Sequence, residues 1–348
     1  MNNSSIKEYN LFVSGVAPDG FHTETFFGIM NCGDNITLEI PKMYPFHGDW
    51  GKPTGINLNI QEKYPMPNKI DIVWLSISEK CFYSVEKELS TQKFESIWGQ
   101  YESQTTLECI VIGMAPYGGL AIWLYGMYKS KVVEWLKGEL VDVLMRDFLP
   151  ENPSSSLDSY CYSYNKNNEL VKSLPPRDLF DNYMKQFTHR YLPLFEHWDE
   201  DEEKWQPYTE EEQETKPELD YIEEALYDGT HDKLHDGGLL NYHDAGKPKK
   251  LAVKWHIKKS EYTAYFWFED EAIRTVFDKF YGIHPDTKTD FVIHIDPEKK
   301  KYELALYRYG MNEPKLISED AYQLIVFKNK FEQYRSDNYN QPRGAWIW

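Results

Sequence analysis

Residues 120–127 read Leu-Ala-Ile-Trp-Leu-Tyr-Gly-Met and residues 304–311 read Leu-Ala-Leu-Tyr-Arg-Tyr-Gly-Met, five identities in eight positions at an offset of 184. That echo constrains the fold more than any composition does, because it reads as two copies of one unit plus whatever joins them. The patterns around each copy agree. Residues 69–77 are rich in β-branched and aromatic types, and 81–89 continue similarly after a short polar break, which predicts a hairpin. Phe94, Ile97, Trp98 and Tyr101 then fall at i, i+3, i+4 and i+7, one face of a helix, with Ser90 placed to cap it. Strands over about 106–113 and 119–126 follow, joined by the turn-forming Ala-Pro-Tyr-Gly-Gly.

The second copy keeps this order. Leu251, Val253, Trp255 and Ile257 alternate with Ala252, Lys254 and His256, a half-buried strand, and residues 261–269 supply its hairpin partner. Ile273, Val276, Phe277 and Phe280 repeat the helical face, and strands at 289–296 and 301–309 close the unit. Trp74 matches Trp255 at an offset of 181.

Strands at 9–16, 22–30 and 35–40 predict an added amino-terminal layer, broken from the repeat by the Gly/Pro-rich passage from His47 to Pro53. Leu136, Leu140, Leu144 and Phe148 favour a helix over 131–148, while Val132 and Val133 extend the sheet, so that stretch stays open. Residues 150–176, rich in Pro, Ser and Asn, read as a linker, and Phe180, Tyr183, Phe187 and Tyr191 predict a helix near 178–195. A further helix is expected near 319–334, before a polar tail that ends with Trp346 and Trp348. The expected fold is α+β: two related strand–strand–helix–strand–strand modules with antiparallel sheets, the first carrying an extra β layer. The expected division is 1–149, an acidic connector at 150–248, and 249–348.

The net charge of −18 is unevenly placed along that division. Residues 1–150 hold 18 acids and 12 bases, residues 151–248 hold 23 and 9, and residues 249–348 hold 15 and 17. From Glu196 to Asp228 there are fifteen acids and two lysines, a composition that cannot bury enough apolar surface to pack alone. Such acidity argues against nucleic acid as a partner, since backbone phosphates would be repelled. Cys32, Cys81, Cys109 and Cys161 form no C-x-x-C pair, which favours a reducing compartment. The amino terminus has no basic region followed by an apolar run, and no stretch approaches eighteen apolar residues. A cytoplasmic chain with no membrane span is the expectation.

Several motifs stand in order through the first half: Val-Ala-Pro-Asp-Gly-Phe (16–21), Gly-Asp-Trp-Gly (48–51), Met-Pro-Asn-Lys-Ile-Asp-Ile-Val-Trp-Leu-Ser (66–76), Phe82-Tyr83, and Ile-Gly-Met-Ala-Pro-Tyr-Gly-Gly (112–119) leading into Trp123-Leu124. From about Tyr9 to Leu136 the chain resembles a bacterial family catalogued as domain of unknown function 2931. The resemblance brings no activity and no catalytic residue with it. Relatives placed beside secretion-system toxins imply an immunity protein, by association of fold rather than by a site.

Candidate chemistry is sparse. His231-Asp232, His235-Asp236 and His243-Asp244 offer histidines that could bind Zn²⁺ from a helical face, but Gly229, Gly237 and Gly238 argue against that helix. A solvated polar turn is the preferred reading, so neither metal nor cofactor is expected. Gly113 and Gly118-Gly119 resemble a phosphate loop only superficially, because Leu120 follows and opens a strand. No G-x-S-x-G or H-E-x-x-H is present, and no catalytic residue is assigned. The strongest lead is Asp199, Glu200, Asp201, Glu202 and Glu203 beside Trp198 and Trp205, a pairing of charge and aromatic anchors suited to a basic protein such as a toxin. The competing reading of that segment is a self-repelling spacer. A non-enzymatic protein binder is the expectation, and the alternative is a carbohydrate or small-ligand binder using exposed Trp198, Trp205 or Trp255.

Overall fold

Strand-forming alternation dominates the chain: 51% is strand and 16% helical, so the α+β fold is mainly sheet. The computed structural model describes residues 7–33, 36–42, 48–54, 63–101, 107–126, 129–166, 172–235, 241–282, 285–309, 314–329 and 332–336. Met127, Gly310 and Met311 of the repeated Tyr-Gly-Met, together with Trp346 and Trp348, lie outside the described residues. Two compact units divide the chain, residues 1–184 with 228–230 and residues 185–227 with 231–348.

The first unit runs β1 (Tyr9–Asn10), β2 (Phe12–Val16), β3 (Thr23–Asn31), β4 (Thr37–Glu39), β5 (Lys63–Tyr64), β6 (Lys69–Ser76), β7 (Cys81–Glu88), α1 (Thr91–Tyr101), β8 (Leu107–Ala115), β9 (Gly119–Gly126), β10 (Lys129–Lys137) and β11 (Glu139–Val141), then α2 (Met145–Phe148), α3 (Leu157–Lys166) and α4 (Leu179–Tyr183). One sheet has the order β11-β7-β6-β3-β4, and β2, β8, β9 and β10 pair in that order. β2 lies parallel to β8, while the β6–β7 and β8–β9 hairpins are antiparallel. Between these layers sits a core of Leu11, Val13, Met30, Trp74, Phe94, Ile110, Ile112 and Leu120. Trp74 stands opposite Tyr83 in register, their rings 5.7 Å apart. Ser90 caps α1 as expected, its Oγ accepting the Lys93 amide at 3.3 Å. Gly118 supplies the left-handed turn (φ +72°) of the β8–β9 hairpin.

The second unit runs β12 (Phe187–Asp199), β13 (Lys204–Pro207), β14 (Glu218–Leu226), β15 (His231–Leu234), β16 (His243–Ala245), β17 (Pro248–Ile257), β18 (Ser260–Phe268), α5 (Asp270–Tyr281), β19 (Thr289–Asp296), β20 (Lys301–Arg308), β21 (Lys315–Ile317), β22 (Tyr322–Lys328) and β23 (Glu332–Ser336). Strands β15-β14-β17-β18-β22-β23 pair in that order, and β13-β12-β19-β20-β21 form another sheet with β16 added on β12. Several of its pairings have counterparts in the first unit. β12 is parallel to β19 as β2 is to β8. β14 pairs β17 as β3 pairs β6, β21 pairs β20 as β10 pairs β9, and β22 pairs β18 as β11 pairs β7. Trp255 stacks on Tyr262 at 5.6 Å, the counterpart of Trp74 on Tyr83.

Several expectations change. The helix expected near 178–195 is only the short α4, and Phe187 onward is strand, because β12 gains a parallel ladder along β19. Residues 150–248 are no connector. They divide between both units, and α3 within the expected linker buries Cys161 against Leu75, Ile77 and Phe82. The helix expected near 319–334 is a single turn followed by β22, where Tyr322, Leu324 and Val326 alternate into the core. The added amino-terminal strands join the sheets of the first unit instead of making a separate layer: β3 and β4 extend the β6–β7 sheet. With the connector dissolved, the charge is even. The first unit holds 24 acids and 15 bases and the second 32 and 23, a net −9 in each. No disulfide joins the four cysteines. Among the described residues, no helix is long and apolar enough to cross a membrane.

Candidate functional site: an acidic hairpin and a buried histidine–glutamate cluster

The acidic segment is an ordered hairpin. β12 and β13 pair Trp198 with Trp205 and Asp199 with Lys204, leaving Glu200 to Glu203 as the turn. The Asp199 carboxylate closes it by accepting the amides of Asp201 (3.0 Å) and Glu202 (3.1 Å), and Glu202 also pairs with Lys204. Both tryptophans are spent on holding the hairpin to the second unit. Trp198 lies under the Lys301 ammonium, 3.2 Å from its ring centre, and its amide donates to Asp296 at 2.8 Å. Trp205 stacks on His294 (5.0 Å, 14° between planes) and donates its indole N–H to Glu303 at 3.2 Å. Four consecutive acids, Glu200 to Glu203, remain exposed at the tip, with Lys299 3.6 Å from Glu200.

Of the three histidines picked out by sequence, only His243 joins a metal-capable group among the described residues. His231 faces Glu223 at 3.0 Å, and His235 lies edge-on to Tyr221 at 5.9 Å. The expected polar turn is instead two strands, β15 and β16, with residues 236–240, Asp236, Gly237 and Gly238 among them, outside the described residues. His243 on β16 stands directly opposite His189 on β12, with ring centres 5.5 Å apart. Glu224 on β14 completes the group. One donor atom from each of His189, Glu224 and His243 lies within 4.8 Å of the others. His189 is fully buried and Glu224 is 1% exposed. His189 Nδ1 sits 3.2 Å from the Phe187 carbonyl and His243 Nδ1 3.3 Å from the Asn241 carbonyl. Those contacts place the proton on Nδ1 of each ring and the lone pair on Nε2.

The residues next to these histidines clamp the same strands. Arg190 donates to both carboxylate oxygens of Asp290 on β19 (2.7 and 3.3 Å), and the Tyr242 hydroxyl donates to Asp290 at 2.6 Å. Arg190 also lies over the Tyr242 ring at 4.7 Å. Burial pushes the Asp290 carboxyl up, but the Arg190 and Tyr242 hydrogen bonds outweigh it and hold the group below its ordinary range. β16, only three residues long, is thereby fixed to β12 and β19.

Sequence reasoning missed His189 and Glu224. The signal was there at the strand period: Phe187, His189 and Tyr191 share one face, as do Ile222, Glu224 and Leu226. Reading 178–195 at helical spacing scattered the first set.

The chain belongs to the family described as "Protein of unknown function (DUF2931)", whose model matches residues 2–214. The match covers most of the first unit and continues through β12 and β13 of the second. No curated protein and no solved structure matches the chain.

Proposed function

We propose that this member of the family is a non-enzymatic, cytoplasmic protein-binding protein built from one folding unit used twice, and that the hairpin tip Glu200 to Glu203 docks it to a basic partner. The strand pairings that the two units share support the double use. The docking role rests on one observation: four successive acids stand exposed on a turn whose base is already fixed by Trp198, Trp205 and the Asp199 cap. A preformed charged tip gives up little conformational entropy on binding, and its field speeds encounter with a basic surface. A toxin with a basic active-site rim is the partner class that an immunity role requires.

A glycan-binding alternative needs open aromatic faces. Trp255 is 0% exposed, Trp198 is covered by Lys301 and Trp205 by His294, so the residues first considered for that role do not favour it. The decisive variant is Glu200→Gln/Asp201→Asn/Glu202→Gln/Glu203→Gln, with Asp199 kept because it holds the turn. Co-expressed with the toxin of a neighbouring gene, the wild type should protect and bind it one to one, less tightly as salt rises, and the variant should fail. Equal protection by the neutral tip would remove the hairpin from the interface.

A further inference from the structure

We propose that His189, Glu224 and His243 form a binding site for a divalent transition metal, Zn²⁺ foremost, inside the second unit. The donor set fits the chemistry. Two imidazoles and a carboxylate suit zinc and its neighbours in the first transition row better than Mg²⁺ or Ca²⁺, which prefer oxygen alone. Bonds of about 2.0–2.2 Å set tetrahedral ligands roughly 3.3–3.5 Å apart. Donors already within 4.8 Å of one another reach that spacing by small side-chain rotations. Both imidazoles turn Nδ1 toward a backbone carbonyl, the arrangement that orients a ligating histidine and leaves Nε2 to bind. The Arg190–Asp290–Tyr242 clamp fixes β16, so His243 is held opposite His189 before any ion arrives.

The first unit supplies an internal control. Glu224 stands opposite Leu251, four residues before Trp255, and Met30 stands opposite Ile70, four residues before Trp74. His189 precedes Arg190, whose partner Asp290 is six residues from the end of β19; Leu11 precedes Phe12, whose partner Cys109 is six residues from the end of β8. Counted from the strand ends His189 corresponds to Leu11, counted from the Leu120–Leu304 echo to Val13, and Glu224 corresponds to Met30; all three of these residues are buried in the apolar core of the first unit. In the first unit these positions hold apolar side chains. In the second they carry an imidazole and a carboxylate, groups that are costly to bury without a compensating charge. A divalent cation bound by both would add favourable charge there. Tyr191, Phe277 and Phe291 ring His189 at 5.1–6.5 Å and keep the surroundings of low dielectric, which strengthens the attraction. Three protein donors leave a fourth tetrahedral position for an exogenous ligand.

The test uses the untagged full chain, stripped with chelator and titrated with Zn²⁺ and, as a spectroscopic probe, Co²⁺. One equivalent of Co²⁺ should bind with the visible absorption of a tetrahedral nitrogen–oxygen site, and one equivalent of Zn²⁺ should raise the midpoint of unfolding and displace the cobalt. His189→Leu and Glu224→Met, which install the side chains of the first unit, should each weaken uptake by more than the roughly 10–100-fold that a lost second-shell partner costs. His231→Ala and His235→Ala should leave it unchanged. Absence of stoichiometric uptake by the wild type overturns the site, with no variant needed. Uptake that survives both His189→Leu and Glu224→Met, in protein whose circular dichroism is native, overturns it equally. The neutral-tip hairpin variant should bind metal as the wild type does, so this result and the docking result fail separately.

Discussion

Two units that share several strand pairings differ in what they bury. The first packs Leu11, Val13 and Met30 into its apolar core, whereas the second buries His189 and Glu224 and pairs Arg190 with Asp290. In the first, the outer side of β8 is covered by a second apolar cluster around Val16, Val111 and Trp123; in the second, the outer side of β19 carries the Arg190–Asp290–Tyr242 clamp. Each unit has a Trp–Tyr pair across a hairpin and a parallel strand laid on another hairpin. Chemistry is added at positions the frame tolerates. The difference teaches that architecture and site are separable in this chain, which makes each open to its own test.

The largest effect falls on the shared frame. Trp74→Ala and Trp255→Ala each remove a fully buried indole and should cost about 3–5 kcal/mol. Because two units need not unfold as one, the loss should be read by hydrogen exchange within each unit. If the frame is common, the two losses will match and each will stay local. A loss confined to one tryptophan would break the equivalence on which the register comparison stands.

Next comes the exchange of buried chemistry. In chelator, His189→Leu/Glu224→Met should be neutral or stabilise the second unit by about 1–4 kcal/mol, the range seen when buried charged groups give way to packed hydrocarbon. Met30→Glu in the first unit should destabilise it strongly, having no histidine pair to share. With Zn²⁺ present the order of wild type and double variant should narrow or reverse. A double variant that unfolds in chelator would mean that His189 and Glu224 hold the fold without metal.

The clamp has a smaller effect and a pH signature. Asp290→Asn should cost about 2 kcal/mol near neutrality, the scale of a charge-assisted hydrogen bond. The Asp290 carboxyl is held below its ordinary value of 3.8 in the folded chain. Its contribution is thus complete above that value and is lost as pH falls through the lower folded one. Urea midpoints of wild type and Asp290→Asn should differ most at pH 7 and draw together as pH falls below 3.8. A gap that does not narrow at all over that acid range would assign the effect to packing rather than charge.

These contrasts also explain what was legible in the sequence. The hairpin–helix–hairpin order could be read because alternation at 69–77 and 251–257 and the faces Phe94/Ile97 and Ile273/Phe277 are local patterns. β12 and β22 could not, since Phe180, Tyr183, Phe187 and Tyr191 fit helical spacing and only distant partners, β19 and β18, decide otherwise. The acidic run was legible as charge but not as structure. Its order comes from Asp296, His294, Lys301 and Glu303, about a hundred residues onward. The histidine cluster was half visible. His243 was picked out, while its partners were hidden by a mistaken period at 178–195 and by the assumption that an acid inside an acidic run faces solvent.

The smallest stability effect belongs to the hairpin tip, and there the comparison sharpens most. Each unit carries a net −9, so bulk charge cannot distinguish them; only placement can. Exposed ion pairs such as Lys204–Glu202 and Lys299–Glu200 contribute little to folding, about 0–1 kcal/mol. Neutralising Glu200 to Glu203 should therefore shift the unfolding midpoint negligibly, and relief of like-charge crowding could raise it slightly. Association should respond differently, with a slower on-rate and a flatter salt dependence, because a rim charge acts on encounter more than on dissociation. Neutralising an equal number of exposed acids in the first unit, Asp19, Glu88, Glu95 and Asp158, removes the same net charge from a different place. If that control slows association as much as the tip variant, the partner senses only the total field and the hairpin is not its docking point.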